Sequence, residues 1–479
     1  MNKGKLVSET MHRPLRIAII GAGPAGVYTA DSLQKADIDF EVSIDLFDRY
    51  PAPFGLIRYG VAPDHPRIKG IIKALHRVMD RGDLRFIGNV DYGTDIHLDE
   101  LRTYYDVIVF ATGAIKDARL DIPGVDAQNS FGAADFVNWY DGHPDVDRHW
   151  DLSAKEVAVI GNGNVALDVA RVLAKPARQM LETEIPDNVY QGLAASQVTD
   201  VHVFGRRGPA QVKFTPLELR ELNSIEDCEI VLYEDDFEFD EASEKAAEES
   251  NQVRNMVNTL TNWLLEQEDR PEGSGASRRL HLHFLEAPEE ILTEHGKVAG
   301  LRMQRMELDG TGNVRPTGEM KMYPVQAVYR AIGYFGSAVP QIQFDEERGI
   351  IKNEEGRVLG ADGQPVPGLY TAGWIKRGPV GLIGHTKGDA LETIGHIIED
   401  VDHLYTAENP DEQAILDLLA SRGIEYSDWH GWKKLDNYEI QLGDMKTANG
   451  PVERERVKVV DREEQLRLAA ARAREAAHS

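Results

Sequence analysis

Hydrophobic residues along this chain gather in short runs that end at glycines. Leu15–Ile20, apolar but for Arg16, is followed at once by Gly21, the pattern of a buried parallel strand entering a tight turn. A helix is predicted over Val27–Lys35, and Phe40–Phe47, rich in β-formers, reads as the next strand. Asp106–Thr112 is a further buried strand that ends at Gly113. The same grammar restarts at Glu156: an apolar strand, a second glycine turn, a helix through Val172, then the strand Asp200–Phe204. Strands alternating with helices predict an α/β fold with parallel sheets and helices on both faces. Gln326–Gly333 reads as a strand returning to the first sheet, Gly368–Trp374 as another, and Gly388–Glu399 as a helix after it. Residues 234–249, dense in Glu and Asp, read as a solvated insertion, and 268–278 as a loop. The charged, Ala-rich tail from Arg462 reads as a surface helix.

Charge and cysteine content narrow the function classes. The 479 residues suggest two or three domains. With 53 Lys and Arg against 80 Asp and Glu, the formal net charge is −27, which argues against nucleic acid as a main partner. An acidic partner must then dock on a local basic patch. Cys228 is the single cysteine, so an intramolecular disulfide, a redox dithiol and a cysteine-held metal or iron–sulfur cluster are excluded. This fits a reducing cytoplasm, and no metal is expected. No run approaches the ~18 apolar residues of a membrane span. The opening MNKGKLVSETMHRP lacks the apolar run of a secretion signal, and with Glu9 and few arginines it does not read as a transit peptide.

Two glycine turns carry the chemistry, roughly 140 residues apart. The first, Gly21-Ala22-Gly23-Pro24-Ala25-Gly26, is G-x-G-x-x-G between a strand and a helix. Gly21 allows the tight turn, Gly23 lets a pyrophosphate approach the backbone, and Gly26 lets the helix pack on the strand. Asp48 stands roughly 20 residues beyond, at the end of the next strand, where a carboxylate holds a ribose hydroxyl. An acid there selects an unphosphorylated adenosine ribose, which FAD and NAD both carry. The second turn, Gly161-Asn162-Gly163-Asn164-Val165-Ala166, is G-x-G-x-x-A. Its following strand ends in Gly205-Arg206-Arg207-Gly208. Two guanidiniums there can clamp a 2′-phosphate that a carboxylate would repel, so this turn is predicted to take NADP(H). One chain then has room for FAD and NADP(H) together, and hydride transfer between nicotinamide and flavin is the economical chemistry.

At this point longer motifs match a family. Pro53-Phe54-Gly55-Leu56-Ile57-Arg58 and Gly60-Val61-Ala62-Pro63-Asp64-His65-Pro66 resemble the signature loop of adrenodoxin-reductase-type ferredoxin–NADP⁺ reductases. So do GNGNVALDVAR (161–171), GRRGPAQVKFTPLELREL (205–222) and GWIKRGPVGLIG (373–384). The resemblance runs from residue 17 to about 395 and implies a glutathione-reductase-like fold: two Rossmann-like dinucleotide-binding domains, the NADP domain inserted into a discontinuous FAD domain. The expected FAD domain is 1–114 with 331–479, and the expected NADP domain 115–330. The resemblance implies FAD contacts at Gly26, Asp48, Leu56, Val90, Trp374, Gly381, Leu382 and Ile383. It implies NADP contacts at Gly163, Asn164, Val165, Ala166, Arg206, Arg207 and Glu218. It places His65 and Asp168 near the flavin–nicotinamide junction, to position groups and manage protons, with Glu221 a weaker candidate there. The chain departs from the family at His385-Thr386-Lys387, where Thr-Asn-Lys is usual; Gly373-Trp374 agrees with this branch of the superfamily.

The external acceptor implied by the resemblance is a ferredoxin, an acidic iron–sulfur carrier, reached by single-electron transfers from the flavin. An NADPH-dependent flavin oxidase, quinone reductase or monooxygenase of the same fold is the alternative. For docking, residues 67–81 fit an amphipathic helix with Ile68, Ile71, Ile72, Leu75 and Met79 on its apolar face and Lys69, Lys73, Arg77 and Arg81 as a basic stripe. An ordinary solvated face would read the same. Lys376 and Arg377 are a second docking candidate. Sequence leaves monomer or dimer open.

Overall fold

The computed structural model describes residues 13–65, 69–270, 274–381 and 383–471, less the side chains of Ile383 and Gly384. Two sheets organise the chain. The first has seven strands in the order Asn353–Glu354, Arg357–Leu359, Pro365–Thr371, Val107–Phe110, Leu15–Ile20, Val42–Phe47, Arg85–Ile87. Its last five members run parallel. In this register Ile20 lies opposite both Phe47 and Phe110, so three carboxyl ends open on one edge. Strand order reverses there, the place where α/β sheets bind ligands. Arg16, the polar exception in the first apolar run, is buried and its guanidinium sits 2.7 Å from Asp45 of the neighbouring strand.

The second sheet has six parallel strands in the order Ser130–Gly132, Ala327–Arg330, Glu156–Ile160, Asp200–Phe204, Arg278–His283, Cys228–Val231. The helices Ala133–Tyr140 and Asn164–Ala174 pack on one face. An antiparallel meander, Glu286–Glu294, Lys297–Leu308 and Val314–Tyr323, covers the other with Ile291, Leu301 and Met303.

Several expectations shift. Gln326–Gly333 does not return to the first sheet: Ala327–Arg330 pairs with Ser130–Gly132 and Glu156–Ile160 in the second. Its apolar pattern reports burial between two strands but carries no information about which strands they are. The chain crosses only afterwards, where Tyr334–Phe335 pairs antiparallel with Lys116–Asp117. The helix expected from Gly388 starts at Ile383 and that of 67–81 spans Ile72–Asp80, with residues 67 and 68 outside those described. In the acidic stretch Glu241–Glu249 is a largely exposed helix, but Asp236 is buried and ion-paired to Arg305. The expected loop 268–278 includes residues 271–273, outside those described. The tail forms the helix Arg462–Ala469, with Glu463 and Arg467 exposed and Gln465 and Ala469 buried beneath, and residues from 472 are outside those described.

Candidate functional site

The first glycine turn is built by close backbone contact. Gly21 has φ +114°, and a Cβ there would fall 2.3 Å from the Ala111 carbonyl oxygen. A Cβ on Gly26 would sit 1.9 Å from the Gly21 carbonyl oxygen, so only glycine lets the helix Pro24–Gln34 approach the turn. Gly23 caps that helix and Pro24 opens it, leaving the first amides facing outward. Asp48 is buried at the end of Val42–Phe47. Its Oδ2 accepts from the Ala22 amide at 2.9 Å and its Oδ1 from the Tyr50 amide at 3.0 Å. Burial pushes its carboxyl up to about 6, against the pull of those two amides. The acid therefore shapes the turn beside the position where a ribose would lie.

Other predicted residues converge on this turn. The Val90 amide donates to the Asp48 carbonyl at 2.9 Å. Phe54 (φ +84°) and Gly55 (φ +49°) bend the chain so that the Phe54 amide donates to the Ala22 carbonyl at 2.8 Å. Leu56 then opens the short helix Leu56–Tyr59. Gly373, φ +78°, presses the Trp374 turn onto the helix Pro24–Gln34: a Cβ there would lie 2.5 Å from the Ala25 Cβ. Trp374 is half-buried, with its ring centroid 6.4 Å from that of Tyr334. Gly381 is exposed, with its Cβ position 3.2 Å from Nδ1 of His385. Leu382 and the side chain of Ile383 lie outside the described residues.

The second turn repeats the plan with one change. Gly161, φ +139°, would drive a Cβ to 2.1 Å from the Ala331 carbonyl oxygen, while Gly163, capping the helix Asn164–Ala174, faces open space. Gly161, Asn164 and Val165 are half-buried and Ala166 is buried against the turn. Ile160 is in register with Phe204, which sets the Gly205–Gly208 turn alongside: the Gly205 Cβ position is 3.2 Å from the Asn162 side chain. Arg206 is exposed and Arg207 half-buried, and neither has an ion-pair partner among the described residues. In a chain so rich in acids, two guanidiniums without carboxylate partners have the chemistry to receive an anion.

Between the two turns lies a buried ionic cluster. His65 Nε2 bonds Asp168 Oδ1 at 2.8 Å, with Glu218 Oε2 at 2.6 Å and Glu221 Oε2 3.0 Å from Nδ1. Nε2 has one proton to offer to these two carboxylate oxygens. Burial alone would lower His65, but the three carboxylates overcome it and lift the ring to about 11. The enclosing carboxylates thus favour the charged form of the ring. Two partners were missed by sequence reasoning: Arg171, which bonds Asp168 at 2.9 Å and Asp64 through both Nε and Nη2, and Lys175, 2.6 Å from Asp64. The signal available was spacing, since Arg171 follows Asp168 by three residues on one helix face and Asp64 precedes His65 directly.

The docking expectations are partly overturned. Lys69 is not part of a solvent-facing stripe: its ammonium is 2.7 Å from Glu184 and donates to the Ile57 carbonyl. Arg81 is engaged by Asp31 and Asp83, leaving Lys73 and Arg77 exposed. Lys376 is buried, 3.1 Å from Asp389 and 2.5 Å from Glu392, and Arg377 also pairs with Asp389. Both lie where helix Ile383–Glu399 supplies acids, which no local pattern around 376 could disclose. Cys228 is half-buried, its thiol pushed up to about 11 by burial.

Elsewhere on the second sheet His202, His281 and His283 stand together. His202 Nδ1 meets His283 Nε2 at 3.0 Å, and His281 bridges Tyr233 and Asp200 at 2.8 and 2.9 Å. The rings lie nearly parallel, His202 on His281 at 4.2 Å, so their ring-plane lone pairs do not converge on one point.

Comparison with known proteins matches this architecture. Residues 15–259 match the family model described as pyridine nucleotide-disulphide oxidoreductase. The chain is similar to the mitochondrial NADPH:adrenodoxin oxidoreductase of Arabidopsis thaliana, 37% identical over 91% of this chain and 92% of the relative. It is equally similar to NADPH-ferredoxin reductase FprA of Mycobacterium tuberculosis, 37% identical over 95% of this chain and 99% of the relative. The solved structure of that FprA in complex with NADPH superposes with a TM-score of 0.84 at 36% identity, covering 95% of this chain and 99% of the other.

Proposed function

This chain belongs to the pyridine nucleotide-disulphide oxidoreductase family and, within it, to the adrenodoxin-reductase-type NADPH–ferredoxin reductases, and from that membership we propose how its residues perform the reaction. It is an FAD-dependent oxidoreductase that passes electrons between NADP(H) and a ferredoxin-type iron–sulfur protein. FAD, when bound, supplies the chemistry that converts hydride transfer from a nicotinamide into single-electron delivery. The first glycine turn suits it: Gly21 and Gly26 have no room for a Cβ beside the Ala111 and Gly21 carbonyls, which sets the helix amides close behind the turn, Gly23 leaves the turn bare, and Asp48 ends the next strand.

We assign residues 1–114 and 331–479 to the FAD domain and 115–330 to the NADP domain; the ribbon of Lys116–Asp117 with Tyr334–Phe335 lies near both crossings and supports that division. Leu56, Val90 and Trp374 would pack against the flavin, with Gly381, Leu382 and Ile383 in the adjoining loop. Gly161 and Gly163 to Ala166 would present amides to the NADP pyrophosphate, and Arg206 with Arg207 would clamp the 2′-phosphate. Glu218 would stand at the nicotinamide end of that site. His65 and Asp168 serve as positioning residues that lock the FAD-side loop to the NADP-side helices, because hydride transfer depends on close stacking more than on an acid or base.

The observation that carries this reading is the contrast between the two strand ends: a buried carboxylate at Asp48 and an unpaired guanidinium pair at Arg206 and Arg207. No helix among the described residues is long and apolar enough to cross a membrane, and with one cysteine the cytoplasm is the compartment we propose. The deciding assay is NADPH-driven cytochrome c reduction with and without a panel of ferredoxins. Ferredoxin should raise the rate severalfold; a rate indifferent to every member, with rapid oxygen or quinone reduction instead, would favour the oxidase or quinone-reductase alternative.

A further inference from the structure

Resting on the assignment of NADP(H) to the second glycine turn, we infer that Lys213 is a further cofactor-binding residue, delivering an ammonium to the cofactor's pyrophosphate and not to its 2′-phosphate. Lys213 lies far from that turn in sequence, in a loop whose backbone is fastened directly to it. The amides of Lys213 and Phe214 both donate to the Asn162 carbonyl, at 3.0 and 3.2 Å. Two residues on, the Thr215 amide donates to the Asn164 side-chain oxygen at 3.0 Å, and the Thr215 hydroxyl caps the helix Pro216–Leu222. The loop therefore runs alongside Asn162–Asn164, forming a wall of the space in front of the helix Asn164–Ala174.

That space is open: the Cβ position of Gly163, the residue whose bareness lets a pyrophosphate approach, meets nothing within 4 Å. Lys213 itself is exposed and has no ion-pair partner among the described residues, whereas Lys69, Lys175, Lys376 and Lys458 are all paired with carboxylates. An ammonium on a flexible four-carbon stem, fastened at its backbone beside the turn, can reach an anion held by the helix amides. The 2′-phosphate end is already served by Arg206 and Arg207, which leave the sheet from the neighbouring strand. The loop that carries Lys213 is fastened at Asn162 and then, through Thr215, at Asn164, so it runs along the N-terminus of the helix whose amides would take the pyrophosphate.

Calorimetric titration of the FAD-loaded enzyme with NADP⁺, NAD⁺ and 2′-AMP separates the two phosphates, because 2′-AMP lacks the pyrophosphate and NAD⁺ lacks the 2′-phosphate. Lys213→Ala should weaken NADP⁺ and NAD⁺ by the same factor, roughly tenfold, and leave 2′-AMP unchanged. Lys213→Arg, which keeps the charge, should recover most of the loss, a rescue that a merely structural role would not give. Wild-type affinity of Lys213→Ala for both dinucleotides would overturn the inference, and so would an equal loss for 2′-AMP and NADP⁺. The underlying assignment is tested apart from it: Arg206→Ala with Arg207→Ala should weaken 2′-AMP and NADP⁺ and spare NAD⁺. If that pair left 2′-AMP binding intact, the assignment of the site itself would fall, whatever Lys213 does.

Discussion

Single side chains in this protein are held in protonation states that decide what they can do. His65 is almost wholly buried, and three carboxylates surround its ring. With a folded pKa of about 11 against an ordinary 6.5, its contribution to stability is fully present below pH 6.5 and is lost as pH rises through about 11. His65→Gln leaves Asp168, Glu218 and Glu221 short of one positive charge, and should lower stability by ~3 kcal/mol near pH 6. The gap in Tm between the variant and the wild type should shrink steadily in scans from pH 6 to 10; a constant gap would show that the ring is not charged in the folded state. Arg206, exposed, and Arg207, half-buried, are the pair proposed for the 2′-phosphate. Replacing both by alanine should reduce the preference for NADPH over NADH in kcat/KM by ~100-fold, two charge-assisted contacts being lost. A preserved preference would remove them from the 2′-phosphate site.

At the scale of elements, each nucleotide turn is a strand and a helix brought closer than side chains allow. The helix Pro24–Gln34 touches the turn at Gly26, and the loop beginning at Gly373 is pressed onto the same helix. Gly26→Val would force its side chain into the Gly21 carbonyl, so the helix must move away from Leu15–Ile20 and its amides lose their aim. The purified variant should carry little or no flavin, read as the loss of visible absorbance relative to protein, while the second turn still binds 2′-AMP. Flavin content equal to wild type would mean that this helix does not hold the pyrophosphate. Element identity was legible from sequence wherever apolar runs met glycines, since a strand, a tight turn and a helix N-terminus impose local demands on residue type. The meander over 286–323 was not legible in the same way. Its charged positions find partners that no single run discloses: Arg302 pairs with Glu290 across the meander, and Arg305 with Asp236 outside it.

Across the whole molecule, charge is sorted between closed networks and open surface. Lys69 and Lys458 share Glu184 at 2.7 Å each, with Asp141 beside them, tying the loop after Tyr59, the helical layer of the second sheet and the C-terminal segment together. Burial pushes Lys458 down to about 8 and Asp141 up to about 7, and the attraction of their neighbours offsets it only in part. What remains outside such networks on the helix Ile72–Asp80 is Lys73 and Arg77, both exposed. For an acidic iron–sulfur carrier approaching a protein of net charge −27, these two are the landing site we propose. Lys73→Glu with Arg77→Glu should raise the KM for ferredoxin about tenfold at low salt, with the difference fading as salt screens it. The rate of flavin reduction by NADPH should not change. An unaltered KM would move the docking site elsewhere.

Residue types at fixed spacings determined the family, the two cofactors and the opposite charge at the two strand ends, because a tight turn, a close helix and a ribose or phosphate contact each restrict a few neighbouring positions. The family resemblance named His65 and Asp168, with Glu221 beside them and Glu218 as an NADP contact, but not that Glu218 also faces the His65 ring or that Arg171 and Asp64 close the cluster. The same local logic took Lys69 and Lys376 for surface charges. Only the tertiary structure decided which sheet receives Ala327–Arg330, which lysines are buried against acids far along the chain, and that the Lys213 backbone is bonded to the second glycine turn. Burial and ion pairing are set by groups brought together through folding across long stretches of sequence, and no spacing within a single segment encodes that proximity.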